Sequence, residues 1–83
     1  MRNLEWEQYY NEFSRTQGRQ AQGNGFLFRV LPSEGLVQLK LINSYTGEEK
    51  KVNFADLNEA ISSATKINEM LGAGHDIKTI LGY

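Results

Sequence analysis

His75 stands beside Asp76, and an imidazole next to a carboxylate is the smallest unit of general acid–base chemistry. Adjacent residues seldom aim their side chains at each other, however, and Asp76 precedes an apolar turn in the position of a helix cap. Ser62 and Ser63 are hydroxyl nucleophiles in type, but no base is placed near them by spacing. The chain has no cysteine, which removes thiolate nucleophiles, disulfides and thiolate metal ligands together. A single histidine with scattered carboxylates has no metal-ligand spacing. Gly23-Asn24-Gly25 has the composition of a phosphate cradle, but such cradles join a strand to the start of a helix, and here a strand is expected to follow. No catalytic, cofactor-binding or metal-binding residue is therefore expected, and no small-molecule substrate is evident. The expectation is a protein that is not an enzyme.

Residues suited to binding concentrate in the middle. Residues 15–51 carry six cations against three acids, while both flanking stretches are mildly acidic and the whole chain has a net charge of −1. That balance excludes a strongly basic nucleic-acid binder. Two turns ending in glycine, Pro32-Ser33-Glu34-Gly35 and Ser44-Tyr45-Thr46-Gly47, cut this region into three alternating segments over 26–31, 36–43 and 48–53. In strands, successive side chains alternate faces. Phe26, Phe28, Val30, Val37, Leu39, Leu41 and Val52 then form one apolar face. The other face shows Leu27, Leu31, Leu36 and Ile42 with Arg29, Gln38, Lys40, Lys51 and Asn53.

Helical spacing flanks this meander. Trp6, Tyr9, Tyr10 and Phe13 fall at i, i+3, i+4 and i+7, which predicts a helix over 3–16 with Asn3 as its cap and its aromatics in the core. Residues 17–25 are polar and glycine-rich, and read as a mobile loop. Leu57, Ala60, Ile61, Ala64, Ile67, Asn68 and Leu71 hold helical spacing for four turns, giving a helix over 54–71 capped by Asn53 and ended by Gly72-Ala73-Gly74. A short C-terminal helix over 76–82 follows, its Ile77, Ile80 and Leu81 folding back onto the domain.

The expected fold is thus a single small α+β domain, residues 1–83, ordered α-β-β-β-α(-α), with a three-stranded antiparallel meander and helices packed mainly on one face. The first seven residues contain early acids and no apolar run, and no stretch approaches a membrane span, so neither a signal peptide nor a membrane association is expected. A cysteine-free chain without staples suits a cytoplasmic location.

Apolar side chains on a solvated face, rimmed by polar ones, mark an interface. Leu27, Arg29, Leu36, Lys40 and Ile42 are the expected contact residues for a protein partner or a second copy of the chain. This reading makes the protein an adaptor, inhibitor or regulator acting through the exposed sheet face and the hairpin loops, a class that includes small proteins of phages and mobile elements. The alternative is a DNA- or RNA-binding domain, with Arg29, Lys40 and Lys51 on the sheet and Arg15 and Arg19 reaching phosphates. The expected order helix, three strands, helix is similar to that of double-stranded-RNA-binding domains. Those domains carry a lysine cluster at the start of the second helix, where this chain has Asp56 and Glu59.

Overall fold

Alternation of apolar and polar side chains through residues 26–43 builds the centre of the molecule, and the segments on either side extend it. A computed structural model describes residues 4–13 and 15–82. The chain runs β1 (Glu7–Asn11), β2 (Thr16–Gly23), β3 (Phe26–Ser33), β4 (Leu36–Asn43), β5 (Glu49–Phe54), α1 (Leu57–Gly72) and α2 (Ile77–Leu81). The strands form one antiparallel sheet in sequence order, β1-β2-β3-β4-β5.

The α+β class is as expected, but the meander has five strands, not three. The expected helix over 3–16 is replaced by β1, and the expected mobile loop over 17–25 is β2 with the turn that follows it. Asn3, the expected cap, lies outside the described residues. The likeness to double-stranded-RNA-binding domains ends with that helix. The reason is the turn at Asn24-Gly25. Both residues have positive φ, +51° and +81°, which is the two-residue hairpin turn whose twist matches that of its strands. It lays residues 19–23 against Phe26–Val30, and the polar β2 then offers its other edge to β1.

Glu34-Gly35 makes the same kind of turn between β3 and β4, with φ values of +51° and +82°. Pro32 therefore belongs to β3, opposite Val37, and not to a four-residue turn. Phe54 closes β5 opposite Val37, so α1 starts later than expected and Asp56, not Asn53, is its cap. The Asp56 carboxylate accepts from the Glu59 N–H at 2.8 Å, and the Glu59 carboxylate accepts from the Ala55 N–H at 3.2 Å. Each bond satisfies a donor at the helix entrance.

The core lies between one sheet face and α1. Phe28, Val30, Leu39 and Leu41 are almost fully buried under Ala60, Ala64 and Ile67, and Leu4 and Ala21 complete the cluster. Ala60 and Ala64 allow the helix to approach the sheet closely. Ile77, Ile80 and Leu81 of α2 pack against the same core. Asn68 is the buried polar residue of the helix, and Asn24 answers it, its Nδ2 donating to both Asn68 O and Asn68 Oδ1 at 2.9 Å. Gly23 sits beneath this clamp, where a Cβ would strike Asn68 Oδ1. Among the described residues no helix is long and apolar enough to cross a membrane.

Candidate functional site

The face of the sheet turned away from the helices carries the expected contact residues, and strand register arranges them in rows. Glu7, Gln20, Arg29, Lys40 and Lys51 lie directly opposite one another from β1 to β5, so every strand contributes one residue to a single row. Gln22, Leu27, Ile42 and Glu49 form the neighbouring row. On the other side, Leu31, Gln38 and Asn53 form a third. Leu27 and Ile42 are thus an apolar pair set against the Arg29–Lys40 pair. These four of the five expected contact residues are brought together. Leu36 is not, because it opposes Ser33 at the far end of β4, six residues or about 20 Å from Ile42. It is exposed there.

The acidic end of the central row is tied down by side chains. Gln20 Nε2 donates to Glu7 Oε1 at 3.0 Å, and Arg29 Nη2 donates to Gln20 Oε1 at 3.3 Å. The Arg29 guanidinium also lies 4.0 Å from the centre of the Tyr9 ring, a cation–π contact. Tyr9 stands opposite Gly18, whose missing side chain leaves room for this stack. Arg29 Nε is buried without a hydrogen-bond partner. The stack therefore draws the charge of Arg29 toward β1, and Lys40 and Lys51 remain directly opposed at the basic end. Like charges in opposed positions are mutually unfavourable.

Tyr9, Gln20 and Glu7 belong to this face, and reasoning from the sequence missed them. Asn24-Gly25 was the signal that could have found them, because a two-residue hairpin there forces residues before it into a strand.

Of the residues weighed for chemistry, Asp76 and Gly23-Asn24-Gly25 have structural roles. Asp76 caps α2, its Oδ1 accepting from the Thr79 N–H at 2.7 Å. Hydrogen bonds from the Thr79 side chain and then its backbone hold the Asp76 carboxyl below its ordinary pKa. Among the described residues, no group of three or more His, Asp or Glu is placed to hold a metal ion. Gly23-Asn24-Gly25 ends β2 and turns into β3, with the Asn24 side chain committed to α1.

The fold and the site define a small α+β protein, a five-stranded antiparallel meander with helices on one face and an open, mixed apolar and basic surface on the other. Comparison with protein-family models, curated proteins and solved structures finds no match.

Proposed function

We propose that this is a small, non-enzymatic protein-binding module of the adaptor, inhibitor or regulator kind, acting in the cytoplasm through the open face of its sheet. One observation carries the reading. The Leu27–Ile42 pair adjoins Arg29, Lys40 and Lys51 on the face opposite the helices. An apolar centre with charged neighbours is the anatomy of a protein interface, where burial of the pair supplies affinity and the charges supply orientation. Glu7 and Glu49 at the margins oppose a long polyanion, which favours a protein over a nucleic acid. The nucleic-acid reading draws its support from the three cations in consecutive register.

The test is a tagged pull-down from host lysate, split into nuclease-treated and untreated halves, with the wild-type chain beside Ile42→Asp and Lys40→Glu. A protein retained in both halves by the wild type, and lost by Ile42→Asp at unchanged melting temperature, is the expected result. Capture indifferent to both substitutions overturns the role of this face. Capture that vanishes with nuclease and with Lys40→Glu gives the face to nucleic acid.

A further inference from the structure

Pro32 interrupts the sheet. The residues flanking a two-residue hairpin loop form a hydrogen-bonded pair, and bonded and non-bonded pairs alternate from there. Counting from Gly23 opposite Phe26, the backbone groups of Phe26, Phe28 and Val30 point at β2, and Pro32 is next in that series. Proline has no N–H to give. The β2–β3 register stops at Arg19 opposite Val30, while β1 and β2 stay paired onward through Tyr10–Gln17 and Asn11–Thr16. The β2–β3 ladder thus ends at Arg19–Val30, and just beyond it Gly18 passes close over β3, where a Cβ would strike the Val30 carbonyl and Leu31.

A cleft of about 650 Å³ lies beside the end of this ladder. That volume falls within the roughly 300–1,000 Å³ of small-molecule sites. Pro32 and Val37 supply apolar surface over the buried Val30, and Tyr10 and Leu57 wall it on the helix side of the sheet. Tyr10 and Leu57 are among the exposed large hydrophobic residues of the chain, so apolar area is left open to solvent here. Gln8, Gln17 and Arg19 provide the polar lining, with Arg19 as its one charge among the described residues.

We propose that this cleft binds a small planar apolar molecule carrying a single carboxylate, an aromatic acid. The ring rests on Pro32 and Val37 beside Tyr10, and the carboxylate meets the Arg19 guanidinium, which suits a planar anion. Leu27, Arg29, Lys40, Ile42 and Lys51 do not line the cleft, but Tyr9 and Leu31 of the open face border it, so the two sites adjoin.

Titration of the isotope-labelled chain with naphthoate, and separately with the uncharged naphthamide, followed by heteronuclear NMR, tests it. The expected result is saturable shifts of the Gly18, Leu31, Val37 and Leu57 amides, with naphthoate binding about fivefold more tightly than the amide. Arg19 is exposed, so Arg19→Gln should fold normally and bring naphthoate down to the affinity of naphthamide, while Arg19→Lys keeps part of the preference. Absence of saturable shifts up to about 10 mM probe overturns the site. Shifts centred on Leu27 and Ile42 do the same. Equal affinity for the two probes overturns the acid and makes the cleft a socket for an apolar side chain of a partner protein.

Discussion

Asn24 does two things that no other side chain at its position would do together. It adopts the left-handed conformation that the two-residue turn demands, at small steric cost, and its amide reaches across to the buried Asn68. Glycine would keep the turn and lose the clamp. Asn24→Gly should therefore destabilise the fold by about 2 kcal/mol, roughly 1 for each hydrogen bond that Asn24 gives Asn68. Urea denaturation of the two chains would measure it, and a loss well under 1 kcal/mol would show that water replaces the clamp. The same two residues show why part of the fold was legible and part was not. Asn24-Gly25 is a plain turn signal, but the strand before it offers Ala21 as its single buried apolar side chain. Its glutamines and glycines give β2 little strand character of its own. Pairing with β3 makes it a strand.

At the scale of elements, α2 rests on core packing of Ile77, Ile80 and Leu81 and on one charged cap. Its five residues cannot hold a helix by propensity, and the Asp76 carboxylate supplies the cap. The depressed pKa of Asp76 fixes the sign of the pH dependence. The cap's contribution is fully present above the ordinary carboxylate pKa, where Asp76 is ionised in folded and unfolded chains alike. It disappears as pH falls through the lower, folded value. The Thr79 amide resonance should follow that titration in an acid series, and Asp76→Asn should flatten it. A midpoint at or above the ordinary aspartate value would contradict the capping geometry. The N-terminal strand depends on neighbours and not on a local group. Trp6, Tyr9, Tyr10 and Phe13 satisfy a helical period, but in β1 Tyr9 and Tyr10 point to opposite faces and Phe13 is fully exposed beyond the strand. Aromatic residues suit strands as well as helices, so spacing alone could not choose between them.

For the whole molecule, the two faces of the sheet make opposite demands on substitution. Leu41 and Ile42 are neighbours in β4, one sealed under α1 and the other on the open face. Leu41→Asp buries an unpaired carboxylate at a cost above roughly 4 kcal/mol, a large share of what a small domain has to spend. It should be unfolded by circular dichroism. Ile42→Asp should melt within a few degrees of the wild type. If both unfold, the second face is core and the proposed interface fails. With nine cations and ten acids nearly cancelling, any charge effect lies in local arrangement, as in the row of three cations across β3, β4 and β5.

The sequence by itself determined the central hairpins, the apolar face of Phe28, Val30, Leu39 and Leu41, the α1 stripe of Ala60, Ala64 and Ile67, and the Asp76 cap. Each of these is written in local periodicity or in a single residue's backbone preference. The tertiary structure decided that residues 7–23 join the sheet, because a polar strand takes its conformation from the partner that satisfies its backbone. It also decided which cations align, since register is a relation between strands. The cleft beside Pro32 depends on both. Pro32 is visible in the sequence as a residue without an N–H, but only the fold sets it past the end of the β2–β3 ladder and brings Tyr10 and Leu57 beside it.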